Sequence, residues 1–341
     1  MPARSLPVWA CYALVLLSTV SAQSAPNATA PSTSEYTGPL KYMPHVAGNA
    51  IFGAIYAILG CLYSFYIWKY SDKWALCLPI GALASAVGFF CRLALDPLNV
   101  SLGLYILQQL FVIVSPSAFL AFNYMLYGRL ITAIDPKFGN GDDKAAGSRM
   151  EKSHFSFIPP RVVGRTFVWS DIITFFIQMS AGGLQASAGD DNPKMADLGD
   201  KLFLTGVTAQ GLSYLLFTAL LTVALQRLIA DRKQNCSGLK ATGWWGLDRN
   251  TTFIANALYF SSIFIILRSV YRIVEFTQGY SGYLISHEVY LFVLDAGPLV
   301  LAIGVWAFMW PTVLLDTIAR EVRQEPPRAQ TSERSDWVPL V

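Results

Sequence analysis

The chain has 341 residues, of which 54% are hydrophobic and only 14% are charged. A soluble globular domain carries about 25% charged residues, so the composition excludes an ordinary soluble protein and predicts an integral membrane protein. The formal net charge of +3 identifies no partner by itself. We expect no nucleic-acid partner, and the composition says nothing about the oligomeric state.

The first residues of the chain, 1–22, have the pattern of a cleavable signal peptide. Arg4 supplies the positive charge, residues 8–20 supply the apolar stretch, and small residues follow at the expected cleavage site. An uncleaved anchor is the alternative interpretation. Residues 23–43 are rich in Ser, Thr and Pro and cannot build a core. We expect them to form an extracellular segment that is glycosylated at Asn27.

Seven apolar runs follow in the predicted membrane domain, residues 44–315. As helices, all seven are long enough to span a bilayer at about 1.5 Å per residue. They lie at residues 45–68, 75–95, 104–127, 167–187, 202–226, 253–275 and 287–314. The runs are continuously apolar, whereas barrel strands would alternate, so we predict an all-α membrane protein with seven transmembrane helices. The polar segment 316–341 is expected to be a disordered tail.

The distribution of Lys and Arg predicts the orientation of these helices. If the mature amino terminus lies outside, the outer segments contain only Lys41, Lys194 and Lys201, and the inner loops and tail contain most of the others. This asymmetry agrees with the positive-inside rule. It predicts a cytoplasmic carboxyl terminus and places a second glycosylation sequon, at Asn99, outside.

Ionisable residues concentrate in and after the sixth apolar run. A charge at the centre of a bilayer costs about 2.5–3.5 kcal/mol on insertion scales, so this concentration is unusual. The spacing of Arg268, Arg272 and Glu275 places them on one face of a helix. Glu288 and Asp295 likewise share one face of the next helix. With the predicted orientation, all five lie in the outer halves of their helices.

Two interpretations of these five residues are open. In the first, they line a water-accessible cavity in which the arginines bind a phosphate or carboxylate head group, or balance acids that bind an amine. Asp295, the deepest acid, would then titrate and couple transport to protons. In the second, the five residues form a static ion-pair network that joins helices six and seven.

Other polar or small residues in the apolar runs suggest weaker hypotheses. Arg129 and Asp171 are predicted to pair at the cytoplasmic rim, as a structural clamp or a gate. Gln178 precedes the glycine pair Gly182-Gly183, which predicts close helix packing, with a head-group contact as the alternative. The small-residue spacing at Gly81 in the second run predicts close packing there too.

Sequence motifs for catalysis and for G-protein signalling are missing. The histidines are His45, His154 and His287, and because His154 falls in an inner loop, three His ligands for zinc are not available on one side. No Gly-x-Ser-x-Gly elbow and no P-loop is present. We therefore expect no enzyme activity, no metal and no other cofactor. Seven helices with an outer amino terminus also fit a receptor, but the Asp/Glu-Arg-Tyr and Asn-Pro-x-x-Tyr motifs are missing.

Several motifs together carry a family resemblance. They are Tyr42-Met-Pro44, Tyr124-x-x-x-Gly128-Arg129, Asp171 with Gln178 and Gly182-Gly183, and Arg268-Ser-x-Tyr271-Arg272-x-x-Glu275 with Gly279, Gly282, Glu288 and Asp295. The chain resembles the fungal lipid-translocating exporter family, also called resistance-to-aminocholesterol-like, which includes a sphingoid long-chain base transporter. The resemblance implies a multispanning membrane protein that moves lipids or amphiphiles and contributes to resistance against toxic lipids.

We therefore expect a plasma-membrane transporter of lipids or lipid-like amphiphiles, with a sphingoid base as one candidate cargo. Its partners would be membrane lipids or amphiphilic small molecules. The first alternative is a seven-helix lipid receptor or sensor that signals through its cytoplasmic loops. An intramembrane lipid-modifying enzyme ranks third.

Overall fold

The computed structural model describes residues 45–95, 102–135, 159–188, 193–235, 248–278 and 288–324. Regular secondary structure in these ranges is entirely helical. Seven of the helical stretches are long and apolar enough to cross a membrane, which confirms the predicted number of spans. The signal peptide, the segment 23–43, Asn27 and Asn99 lie outside the described residues, and the orientation of the helices stays a prediction.

The first six spans are α1 (Val46–Tyr70), α2 (Cys77–Leu93, after a short 3-10 helix at Lys73–Leu76), α3 (Leu102–Ile134), α4 (Pro160–Ala188), α5 (Pro193–Asn235) and α6 (Arg249–Thr277). The seventh span consists of α7 (Glu288–Tyr290), a π-helical segment (Leu291–Ala296) and α8 (Gly297–Phe308). A last helix, α9 (Pro311–Gln324), follows it. Helices α4 and α5 extend well beyond the predicted apolar runs because a helix continues into polar sequence at the bilayer surface.

Helix α9 closes the end of the bundle that is predicted to be cytoplasmic. Residues 316–324, which the sequence analysis assigns to a disordered tail, belong to this helix. It buries Leu315 and Ile318 and packs against α3 and α6. Asp72 accepts hydrogen bonds of 2.8 Å from Trp310 Nε1 and 2.6 Å from Thr312 Oγ1, which hold the start of α9 against the α1–α2 connection.

Tyrosine hydroxyl groups attach α1 to the seventh span. Tyr56, Tyr63 and Tyr66 donate hydrogen bonds of 2.8–3.1 Å to the backbone carbonyl oxygens of Ala296, Ile303 and Ala307. Pro311 has no N–H to bond the Ala307 carbonyl, so Tyr66 satisfies an acceptor that the helix itself leaves open. The first and last spans are therefore neighbours.

Glycine allows close contact between α2 and α3. A Cβ atom on Gly81 would lie 2.6 Å from Cε1 of Phe119 and 3.0 Å from Cβ of Ala118. Phe119 is 1% exposed and has no room to move aside. The small-residue spacing in the second run thus marks a real helix contact.

The contact between α4 and α5 depends on different glycines from those expected. A Cβ atom on Gly199 or Gly206 of α5 would come within 3.2–3.4 Å of backbone oxygens of α4. At Gly182 and Gly183 of α4, a Cβ atom would meet nothing within 4 Å. The prediction that the Gly182-Gly183 pair serves close helix packing is therefore wrong, because the pair does not face α5.

Gly81→Ala should destabilise the protein by about 1–3 kcal/mol, because the added methyl group overpacks the α2–α3 contact. Gly182→Ala is the matched control, since it adds the same atom where space is open, and alanine favours a helix by up to about 1 kcal/mol. Thermal unfolding of the detergent-solubilised chain measures both. Equal melting temperatures for the two variants would contradict the assigned contact.

Candidate functional site

The predicted charged residues separate into two groups of ion pairs. The first, here called the Asp295 group, consists of Arg268, Arg272, Glu275 and Asp295 and joins α6 to the seventh span. Arg268 Nε lies 2.7 Å from Asp295 Oδ1, and Arg272 Nε donates a 2.9 Å hydrogen bond to the same oxygen. Arg272 pairs with the second Asp295 oxygen and, at 3.1 Å, with Glu275. These four side chains are only 7–12% exposed.

The π-helical segment positions Asp295. Pro298 cannot donate to the carbonyl of Leu294, so the regular α-helical pattern is interrupted just where the segment Leu291–Ala296 forms its wider turn. Asp295 lies in this turn and is 5% exposed. On α6, the spacing of Arg268 and Arg272 by one turn presents both guanidinium groups to it, as the sequence predicts.

The second group is centred on Glu288 and does not include the other four predicted residues. Arg92 Nε lies 3.2 Å from Glu288 Oε1, and Asn49 Nδ2 donates to the same oxygen at 2.8 Å. The backbone N–H of His45 donates to Glu288 Oε2 at 2.5 Å. Glu288 thus joins the seventh span to α1 and α2. Arg92 and Asn49 are not among the predicted site residues, although a lone arginine in the run GFFCRL is a signal for a buried partner.

The two groups together neutralise their charge. They contain three arginines (Arg92, Arg268, Arg272) and three acids (Glu275, Glu288, Asp295). Pairing of this kind offsets the desolvation of charges buried in a membrane domain. Within the described ranges, no three His, Cys, Asp or Glu residues lie close enough to hold a metal ion. The three acids are compensated by the arginines with which they pair.

A small cavity, here called the amide cavity, lies between α3, α4, α5 and α6. Polar residues in its wall are Gln109, Gln178, Gln210, Arg268, Ser269 and Arg272. Gln178 Nε2 donates to Gln210 Oε1 at 3.0 Å, and Gln210 Nε2 donates to Ser117 Oγ at 3.0 Å. Its volume of about 30 Å³ is enough for a water molecule or two. The predicted site residue Gln178 is therefore brought together with both arginines of α6.

A second cavity, here called the carboxylate cavity, lies on the other side of Arg268. Arg92, Arg268 and Asp295 line it, together with residues of α1 and α3 that include Tyr56 and Ser115. It too has a volume of about 30 Å³. Arg268 is thus a wall shared by two cavities, one that contains Asp295 and one that contains the three glutamines.

The predicted pair of Arg129 and Asp171 does not form. The Arg129 guanidinium lies 4.6 Å from the centre of the Trp74 ring, and its acidic neighbours are Asp72 and Asp316. Asp171 is buried, close to the Tyr124 hydroxyl but without the geometry of a regular hydrogen bond. Asp171 lies about three turns after the start of α4 at Pro160, beside Tyr124 of α3.

Asp295→Asn should destabilise the protein by about 3–5 kcal/mol, because Arg268 and Arg272 would keep a buried positive charge that Glu275 alone does not balance. The double variant Arg268→Gln/Asp295→Asn restores neutrality and should recover part of this loss. Thermal unfolding in detergent provides the double-mutant cycle, with an expected coupling of about 0.5–3 kcal/mol.

The matched control for this cycle is Asp197→Asn. Asp197 pairs with Lys201 at 2.7 Å, but their side chains are 64% and 70% exposed. Loss of such a surface pair within one helix should cost at most about 0.5 kcal/mol. A melting temperature of Asp295→Asn equal to that of this control would show that the Asp295 group contributes nothing to stability.

Comparison with known proteins identifies relatives of most of the membrane domain. The family model described as RTA1 like protein matches residues 78–139 and 147–318. Protoporphyrin uptake protein 1 of Saccharomyces cerevisiae is 31% identical over 65% of this chain and 64% of its own length. Protein RTA1 of Saccharomyces cerevisiae is 24% identical over 87% of this chain and 90% of its own. Lipid-translocating exporter-like protein RTA1 of Ajellomyces capsulatus is 28% identical over 59% and 58%.

The chain covers less than two thirds of the length of the first of these relatives. No solved structure matches it. Two of these relatives are named for transport and neither of them for an enzyme activity, which is consistent with the expectation of a non-enzyme. The family model includes every residue of the Asp295 group and extends over more than half of the chain. This match confirms the resemblance seen in the motifs, and the chain is a multi-pass membrane protein that belongs to the RTA1-like protein family.

Proposed function

We propose that the protein moves a lipid or lipid-like amphiphile across the plasma membrane and that the polar head group of the cargo binds at the amide cavity. Family membership and the relative named as a lipid-translocating exporter support the class of cargo. The observation that carries the site is the position of Arg268, a buried cation shared by two polar cavities inside an apolar bundle. Ionisable residues inside a membrane commonly mark substrate pathways.

The chemistry of the amide cavity favours a head group that accepts hydrogen bonds. Two guanidinium groups and three amides surround it, and none of its lining residues is a carboxylate. Guanidinium groups bind phosphate and carboxylate through paired hydrogen bonds. An amine head group, such as that of a sphingoid base, would find its acidic partner only beyond Arg268, in the carboxylate cavity. We therefore propose an anionic amphiphile as the preferred cargo.

Transport requires a change in the Asp295 group. A volume of about 30 Å³ admits water but no lipid head group, so the described conformation is closed. Arg268 is held by Asp295 in this conformation. A phosphate or carboxylate that replaces Asp295 as the partner of Arg268 would keep the arginine neutralised while the two cavities join. In this exchange Arg268 keeps an anionic partner, and Asp295 keeps Arg272 as its partner.

Export as the direction of movement, and a contribution to resistance against toxic amphiphiles, also belong to this proposal. They are supported by the family resemblance. The relative named for protoporphyrin uptake adds a candidate cargo, because protoporphyrin is an apolar ring system with carboxylate groups.

Gln178→Leu should lower the flux of an anionic amphiphile about 10- to 100-fold, because a hydrogen bond to a charged group contributes about 1.5–3 kcal/mol. The measurement uses the full chain reconstituted in vesicles, with labelled phosphatidic acid, protoporphyrin and a sphingoid base as three separate cargoes. Gln185→Leu is the matched control, because this glutamine is on the same helix but bonds Asp200 at 2.6 Å outside the cavity. It should leave the flux unchanged.

Three results would contradict the proposal. Equal flux in the Gln178→Leu and Gln185→Leu variants would remove the amide cavity from the pathway. Faster movement of the sphingoid base than of the anionic cargoes would contradict the anionic head group. Vesicles in which the folded wild-type chain moves none of the three would exclude a transporter of these cargoes and favour the receptor alternative.

A further inference from the structure

Asp171 is a buried acid that the proposed head-group site does not use. It is 2% exposed, and neither of its carboxylate oxygens makes a hydrogen bond of regular geometry, although the Tyr124 hydroxyl lies close to them. No Lys or Arg of the described residues forms an ion pair with it, and Arg129, its predicted partner, lies beside Trp74 instead. Asp295, by contrast, is neutralised by two arginines. Of these two buried aspartates, only Asp171 lacks a compensating charge.

The surroundings of Asp171 contain more unsatisfied oxygen atoms. The Tyr124 hydroxyl and the side-chain oxygen of Asn123, both on α3 and fully buried, also lack hydrogen-bond partners. Helix α4 packs mainly against α3 and α5. The titratable groups that these helices present to Asp171 are Tyr124 and, on α5, Tyr214. The aspartate therefore faces hydroxyl groups without any neighbouring cation.

Hydrogen bonds connect Asn123 of α3 and Tyr214 of α5 to two serines of α6. Asn123 Nδ2 donates to the Tyr214 hydroxyl at 2.9 Å and to Ser261 Oγ at 3.0 Å. The Tyr214 and Ser262 hydroxyl oxygens are 3.0 Å apart. All these side chains are at most 1% exposed. The result is a polar core that links α3, α5 and α6 beside the aspartate.

A continuous polar stripe leads from Asp171 to the amide cavity. Asp171, Thr174 and Gln178 are spaced three and four residues apart, so they share one face of α4, and all three are buried. The stripe is about 10 Å long at 1.5 Å per residue. On α5, Gln210 and Tyr214 lie one turn apart and follow the same direction. A proton that reaches the amide cavity thus has polar side chains along its way to the aspartate.

An unpaired carboxylate at this depth is expensive because burial removes the water that stabilises its charge. A bound proton removes the charge and supplies a donor for one of the unsatisfied oxygens nearby. We propose that Asp171 is a reversible proton-binding site and that its protonation controls the opening of the amide cavity. This assigns to Asp171 the titrating role that one of the two interpretations of the sequence gave to Asp295. The control of opening rests on the proposed function, whereas the proton site does not.

Infrared difference spectra of the purified full chain in lipid, recorded during a pH titration, test the proton site. The wild type should show the C=O band of a protonated carboxylic acid, with a shift in deuterium oxide, and the band should disappear at high pH. Asp171→Asn should lack this band, and Asp171→Glu should retain it at a shifted frequency. Asp197→Asn, which changes an exposed acid in the same way, should leave the band unchanged. Persistence of the band in Asp171→Asn would overturn the proposal.

Flux of the anionic cargo in vesicles at different pH values tests the control of opening. The wild-type flux should change with pH by up to about tenfold per unit, as expected for a single titrating group. Asp171→Asn, which mimics the protonated state in shape and charge, should give a flux that does not vary with pH. An unchanged pH response in this variant, or a response to sodium ions in place of protons, would overturn the proposed control of opening by Asp171. Wild-type vesicles without flux would contradict the proposed function, while the infrared band would still test the proton site.

Discussion

The pairing of Arg268 and Arg272 with Asp295 is the interaction on which the rest of the bundle depends. It places a balanced set of charges between α6 and the seventh span, where an unpaired charge would be strongly destabilising. The π-helical turn at Leu291–Ala296 contributes to this pairing, because it brings Asp295 to the two arginines. Both polar cavities border on Arg268, so these charges form part of the wall of each cavity.

The two ends of the bundle are built differently. At the end predicted to be cytoplasmic, Asp72, Trp310 and α9 join the helices through hydrogen bonds and apolar burial. At the opposite end, Glu288 connects three spans through ion pairs and hydrogen bonds. Ion pairs can exchange one partner for another of the same charge, whereas buried apolar contacts cannot. This difference supports the proposal that the bundle opens on the predicted outer side.

Two buried aspartates illustrate how partners, more than burial, define the role of an acid. Asp295 and Asp171 are 5% and 2% exposed, so both have lost their water. The first faces two guanidinium groups, while the second faces the hydroxyl groups of Tyr124 and Tyr214. The same side chain is therefore suited to hold an arginine in one place and a proton in the other.

Much of this architecture is already present in the amino-acid pattern. Continuous apolar runs determine seven helices, because only a helix satisfies its own backbone in lipid, and the spacing of Arg268, Arg272 and Glu275 determines that they share a face. Both properties are local to one segment. Three other features were decided only by the tertiary structure. Glu288 pairs with Arg92, Asp171 has no cationic partner within the described part of the chain, and the α4–α5 contact depends on Gly199 and Gly206. The physical reason is that such partners lie on different helices, and the rotation and register of packed helices determine which side chains meet.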